Sequence, residues 1–170
     1  MIGLLLAAAL QAAAPAATAD PLAPARVGDL QCYAADPVRK TCRALAAYTF
    51  GSDGRILNQA EVMISTSPLL TMRTVSPVTV RDGAVCGEQS DIDQAQIFFR
   101  GRRIGEGDAA SIRTQLRAAR SALEGQEICS TYRRSGDWWI AQVTVGGVAR
   151  PDLQDTVMWV PASAGYTVQP

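Results

Sequence analysis

The alternation of apolar and polar residues predicts short β-strands along most of the chain. Residues 44–50 and 56–65 alternate in this way, and the Gly- and Asp-containing segment 51–54 between them is typical of a hairpin turn. Further strands are predicted at residues 69–75, 78–81, 84–86, 97–100, 127–134, 138–145 and 156–160. We therefore expect a mostly antiparallel sheet of about six or seven strands.

One segment has the period of a helix instead. Between Ile112 and Leu123 the apolar residues recur every third or fourth position, which predicts a helix over about residues 109–124. Asp108 is the expected N-cap, and Gly125 is the expected stop. We expect this helix to pack on one face of the sheet, which makes the fold class α+β.

The N-terminus is an uncharged apolar run. Residues 2–14 are nearly all Leu and Ala, and the small residues 17–19 fit the pattern that signal peptidase cleaves. The run is shorter than the roughly 20 residues of a transmembrane helix, so no membrane span is expected in the mature chain. We predict a signal peptide over residues 1–19, cleaved after Ala19. The usual positively charged n-region is missing, and the alternative is an Ala-rich arm on a cytosolic protein.

The chain after the predicted cleavage site divides into two parts. Residues 20–30 are rich in Pro and Ala, which predicts an extended tether. Residues 31–170 have the length of a single domain of ordinary size, long enough to bury its own core.

Four cysteines remain after the predicted cleavage. An even number of cysteines in an exported chain indicates disulfides. Of the three possible pairings we expect Cys32–Cys42 and Cys86–Cys129. The alternative, a zinc site with four thiolates, is disfavoured because no pair shows the spacing of about two to four residues that such sites use. No metal site is therefore predicted.

Charge and composition exclude several classes of function. The chain has 16 basic and 16 acidic residues, which gives no reason to expect a nucleic-acid partner. It contains no histidine, the commonest general base and metal ligand. No motif for a catalytic triad, a phosphate loop or a cofactor is present. The composition therefore points away from an enzyme, and the catalytic alternative that stays open is a hydrolase using carboxylates alone.

Arginines form the clearest candidate contact surface. Between residues 100 and 134 there are eight arginines and four acidic residues. Three share a stripe of the predicted helix and four flank it in sequence: Arg113, Arg117 and Arg120, with Arg102, Arg103, Arg133 and Arg134. Converging guanidinium groups can bind carboxylates or phosphates in a bidentate manner. The alternative is a solvated helix face with arginine stems covering the core.

Trp138 and Trp139 are the second candidate. Adjacent residues of a strand point to opposite faces, so an exposed tryptophan here is a candidate contact residue. Together these features predict a non-catalytic periplasmic or secreted binding module, such as an inhibitor or an envelope-associated factor. Its expected partner is an envelope protein, an anionic glycan or a lipid. The alternatives are the carboxylate hydrolase and a structural envelope protein that binds anionic glycan or lipid.

Overall fold

The computed structural model describes residues 19–89 and 91–170. The predicted signal peptide lies outside these ranges except for Ala19. Within them, neither helix has the length and apolar content needed to cross a membrane. The helices are α1 (Ala23–Arg26) and α2 (Glu106–Arg120). The strands are β1 (Asp29–Tyr33), β2 (Thr41–Cys42), β3 (Ala44–Phe50), β4 (Ile56–Thr66), β5 (Leu69–Arg81), β6 (Ala84–Glu88), β7 (Gln96–Phe99), β8 (Arg102–Arg103), β9 (Glu127–Ser135), β10 (Trp138–Val145), β11 (Val148–Ala149), β12 (Asp155–Pro161) and β13 (Thr167–Val168).

Eight of these strands close into an antiparallel barrel. Their order around the barrel is β1, β3, β4, β5, β6, β9, β10 and β12, and β12 pairs back with β1. The order follows the chain, so the barrel is of the up-and-down kind. This corrects the open sheet of six or seven strands, although the mostly β composition with one main helix is confirmed. The pattern of alternation could not reveal the closure, because it carries no information about which distant strands pair.

Strand β5 pairs with two different strands along one of its sides. Its residues 70–73 pair with β7 and its residues 79–81 pair with β6, while β4 pairs along the opposite side. Among the described residues, the stretch 74–78 has no ladder partner on the divided side. Pro77 lies in this stretch, at the kind of position where sheets tolerate proline. The strand therefore runs through Pro77, where the sequence predicted two shorter strands.

Helix α2 lies across one end of the barrel. Its Ala109 is buried with Met72 of β5, and Ile112 and Leu116 pack against the same cluster. Because side chains alternate along a strand, Met72 shares the inner face of β5 with Ser76. The helix thus packs on the inner side of the sheet, not on the outer face that a simple two-layer fold implies. It begins at Glu106, before the predicted start, and a 3-10 turn (Ser121–Leu123) continues it.

Helix α1 closes the opposite end of the barrel. Leu22, with none of its surface exposed, and Ala25 are buried against Val85 of β6, and further strand residues surround them. The Asp20 carboxylate accepts hydrogen bonds from the backbone N–H of Leu22 and from Arg26 Nε. Residues 20–28 therefore do not form the extended tether that their composition predicts. The apolar end of the barrel offers burial to Leu22, which the sequence alone does not show.

Both predicted disulfides are present. Cys32 of β1 bonds Cys42 of β2, and both are buried with Val160. Cys86 of β6 bonds Cys129 of β9, which lies directly opposite it in the ladder. This second disulfide links β6 to β9, the two barrel strands that precede and follow the segment containing α2.

Substitution Leu22→Ala tests the role of α1 as the plug of the barrel. It should lower the free energy of unfolding by about 2–5 kcal/mol, because it leaves a cavity at a fully buried site. The measurement is urea unfolding of the parent and the variant. Val27→Ala is the matched control: Val27 is 82% exposed, and its change should stay within about 0.5 kcal/mol. Equal free energies of unfolding for the parent and Leu22→Ala would show that α1 does not stabilise the barrel.

Candidate functional site

A pocket of about 250 Å³, lined by both polar and apolar side chains, opens into the interior of the barrel. Polar side chains from five barrel strands line it: Tyr33, Tyr48, Asn58, Ser76, Ser130 and Tyr132. The interior of a barrel of about eight strands is usually filled by side chains or holds one small ligand. Four of the lining residues also pack against α1: Tyr48, Val78, Val85 and Tyr132. The cavity therefore lies directly beside α1. Arg120, the last residue of α2, and Leu123, in the turn after it, also line the cavity.

A single glutamine organises the tyrosines. Gln31 of β1 has none of its surface exposed, and its Oε1 accepts hydrogen bonds from Tyr48 at 2.8 Å and from Tyr33 at 3.1 Å. The hydroxyl groups of Tyr33 and Tyr132 are 3.3 Å apart. A phenol has one hydrogen to donate. Since Tyr33 donates its hydrogen to Gln31, Tyr132 must be the donor to Tyr33, and all three phenol hydrogens are used.

Burial keeps two of these phenols neutral. Desolvation, reinforced by the neighbouring tyrosines, raises the pKa of Tyr33 and the pKa of Tyr48 well above the ordinary value of about 10. Neither hydroxyl can therefore serve as a base near neutral pH. The two groups contribute hydrogen bonds and shape to the cavity rather than proton transfer.

Two buried amide atoms have no hydrogen-bond partner among the described residues. They are Nε2 of Gln31, behind the tyrosines, and Oε1 of Gln89, which belongs to the cavity lining. An unpaired buried polar group costs about 1–3 kcal/mol. Gln89 lines the cavity, so a molecule there that donates to its Oε1 recovers part of that free energy.

Arg120 is the charged group at the mouth of the cavity. It is half-buried, and it lines both the lumen and an adjoining surface pocket. In the described part of the chain it has no ion-pair or hydrogen-bond partner. Burial lowers the pKa of its guanidinium group, yet an arginine stays protonated in proteins. Arg120 therefore presents an unpaired positive charge.

The other predicted arginines of α2 are paired within the chain. Arg113 donates to Ala95 O at 2.8 Å and contacts Glu106 at 2.9 Å, while Arg117 contacts Asp93. In the short strand β8, Arg103 also contacts Glu106, at 3.2 Å, and Arg102 is exposed. Two arginines of the helix stripe are thus neutralised, Arg113 by Glu106 at the start of the same helix and Arg117 by Asp93 of the segment before β7.

Arg133 and Arg134 lie far from this stripe. Ile128 of β9 lines the cavity, and Arg134 follows six residues later, which is roughly 20 Å along a strand. Arg134 donates to Gly136 O in the β9–β10 turn, and its guanidinium lies 5.8 Å from the ring centre of Trp139. The arginines chosen from sequence therefore do not converge on one surface.

The two adjacent tryptophans are both half-buried. Trp139 lies opposite the fully buried Val157 and shares its face of β10 with the buried Ala141, so Trp138 points to the outer face. The arrangement on opposite faces agrees with the strand geometry used in the prediction. Neither ring contributes to the lining of the lumen cavity.

The lumen residues were missed by sequence reasoning. Gln31 with Tyr33, and Ser130 with Tyr132, occupy alternate positions of a strand, which is the available signal. That signal separates the two faces of a strand without saying which one is enclosed. Only the closed barrel places these polar faces inside.

Metal-binding side chains give no second site. Within the described ranges, one group brings Cys86, Cys129 and Glu127 together, with ligand atoms within 4.8 Å of one another. Both sulfur atoms form the disulfide, which leaves one carboxylate as a ligand. This group is therefore not a metal site.

No protein-family model, curated protein or solved structure matches the chain. The chemistry of the cavity must therefore be judged from its own residues.

The buried tyrosines should resist titration while the protein stays folded. Their pKa values are raised above the unfolded value of about 10, so the unfolded chain loses protons first and stability falls as the pH rises above about 10. In an alkaline titration followed by phenolate absorbance, at most two of the four tyrosines should ionise before the circular dichroism of the fold is lost. Ionisation of all four in the folded protein would contradict the buried network.

Proposed function

We propose that the chain is a non-catalytic, exported binding protein that holds a small polar molecule in the lumen of its barrel. The observation that carries this proposal is the pocket of about 250 Å³ between α1 and Arg120, in whose lining the buried Oε1 of Gln89 is left unpaired. Ligand pockets in proteins are mostly apolar with a few placed polar groups, and the fixed tyrosine network supplies such groups. The volume is below the roughly 300–1,000 Å³ of pockets for drug-sized ligands, so the occupant is small.

Binding is favoured over hydrolysis by the charges at the cavity. A hydrolase that uses carboxylates alone needs two of them facing each other across roughly 5–9 Å. Glu88 is the one acidic residue among those lining the cavity. The two tyrosines with raised pKa values hold their protons near neutral pH, so they do not replace the missing base.

A small molecule is also favoured over a macromolecular partner. The expected contact surface for an envelope protein, glycan or lipid relied on converging arginines. In α2, Arg113 and Arg117 are bound by Glu106 and Asp93 and are less available to a partner. Arg120 is free, and it faces the cavity.

Export is supported by two features. The two disulfides require an oxidising compartment for their formation in most organisms. The N-terminal residues 1–19 have the composition of a cleavable signal peptide. The site of action we propose is therefore the periplasm or the medium.

The test is a substitution that fills part of the cavity with a larger side chain from one strand of its wall. Ser130→Leu adds apolar volume inside the barrel, whereas Thr131→Leu makes the same kind of change at the next, outward-facing residue. The parent chain, purified from an exporting host, is titrated calorimetrically with amino acids, hydroxy acids, monosaccharides and nucleosides. At least one class should bind the parent and Thr131→Leu equally, and bind Ser130→Leu at least about tenfold more weakly.

Two results would contradict the proposal. Unchanged binding to Ser130→Leu would place the ligand outside the lumen. Failure of every class to bind the parent would remove the small-molecule function. Urea unfolding of both variants is the control that separates blocked binding from a damaged fold.

A further inference from the structure

The free hydrogen-bonding capacity at the cavity is mostly that of donors. The three phenol hydrogens are already used within the network around Gln31. The unpaired donor among the lining residues is the guanidinium group of Arg120, which carries up to five N–H groups. A ligand that complements these groups must supply acceptor oxygens.

The position of Arg120 favours a charged acceptor. Arg117, one turn earlier in α2, is exposed and paired with Asp93, whereas Arg120 is half-buried and unpaired in the described part of the chain. Desolvation is the cause that lowers the pKa of Arg120, and no carboxylate of the described residues forms an ion pair with it. A carboxylate bound to this guanidinium group forms a charge-assisted, bidentate contact, which is among the stronger hydrogen bonds in proteins.

The mouth of the cavity limits the charge of the ligand. The adjoining surface pocket, also about 250 Å³, contains four acidic residues and two arginines. Asp93 is neutralised by Arg117, which leaves Glu88, Asp91 and Glu124 against Arg120 alone. A dianion meets a net negative rim there, and like charges close together are repulsive. A single negative charge is repelled less by these carboxylates, so a monoanion pairs with Arg120 more readily than a dianion does.

The remaining free acceptor indicates a second feature of the ligand. Oε1 of Gln89 is buried and unpaired, and it lines the same cavity as Arg120. A hydroxyl group on the ligand can donate to it. The apolar walls, including Val78, Val85 and Ile128, accommodate a small hydrocarbon body.

We propose that the lumen takes a small organic monocarboxylate, held by Arg120 at the mouth of the barrel and oriented by a hydroxyl group that donates to Gln89. This proposal rests on the proposed function, since it names the class of molecule that the same cavity binds. Dianions such as dicarboxylates are disfavoured by the acidic rim.

The experiment uses matched ligands and matched arginine variants. The ligands are hydroxy monocarboxylates from lactate to mandelate, each with its neutral amide, and the dicarboxylates malate and phenylmalonate. Calorimetry measures their binding to the parent, to Arg120→Gln and to Arg117→Gln. At least one monocarboxylate should bind the parent about 10- to 100-fold more tightly than its amide. Arg120→Gln should remove that preference, whereas Arg117→Gln, which keeps Arg120 but frees Asp93 at the rim, should reduce it only in part.

Arg120→Gln should keep its fold, because the arginine makes no bond within the described chain that the change would break. Circular dichroism and urea unfolding check this point. Rescue of part of the preference by Arg120→Lys, which restores charge without the planar fork, would identify the charge as the determinant.

The outcomes separate this inference from the proposed function. If amides bind as tightly as acids, or if Arg120→Gln keeps the preference, the monocarboxylate is wrong. Loss of that same amide binding in Ser130→Leu would still support a ligand in the lumen. If dicarboxylates bind best, the argument from the acidic rim is overturned. If no member of this panel binds the parent, the inference fails, and the wider panel of sugars, amino acids and nucleosides decides the function of the lumen.

Discussion

The antiparallel ladder between β1 and β12 is the interaction on which the rest of the structure depends. It pairs Gln31 with Trp159 and Tyr33 with Val157, residues near opposite ends of the chain. Without this ladder the sheet would have two open edges, each with unpaired backbone groups. With it, one face of every barrel strand is enclosed. The polar residues of β1 and β9 become lumen residues because of this closure, and not because of any local feature of their own strands.

Burying polar side chains costs desolvation free energy unless they hydrogen-bond to each other, and the hydrogen bonds of the tyrosine network offset most of it. Gln31 of β1 accepts from Tyr33 of the same strand and from Tyr48 of β3, and Tyr132 of β9 joins through Tyr33. The network thus connects three strands across the lumen. A phenol ring that is hydrogen-bonded in this way cannot rotate into the adjacent space without breaking a bond in a region of low dielectric constant. The hydrogen bonds of the network therefore fix the rings in place and keep the cavity open.

Local signals in the sequence were sufficient for local features. Turn residues placed the hairpin formed by β3 and β4, and the number and spacing of cysteines led to the correct disulfides. The helical period located α2 to within a few residues. Contacts between distant segments were not predictable in this way. Asp93, which precedes β7, neutralises Arg117 of α2 across 24 residues of sequence, and Leu22 is buried by strands that follow it. A two-residue period also cannot identify the inner face when that face carries Asn58 and the outer face carries Leu45.

The two kinds of residue at the cavity come from different parts of the chain, and this division has a functional meaning. The tyrosines and Gln31 belong to barrel strands, where their positions are fixed by ladders on both sides. Gln89 and Arg120 belong to the insertion between β6 and β9, which leaves the barrel wall where β5 divides between β6 and β7. The wall therefore determines the size and the polarity of the cavity, and the insertion determines the charge at its mouth. Because no described barrel residue bonds to the Arg120 side chain, its identity can change without disturbing the network beneath it. We propose that a barrel built in this way keeps its fold while the insertion selects the ligand.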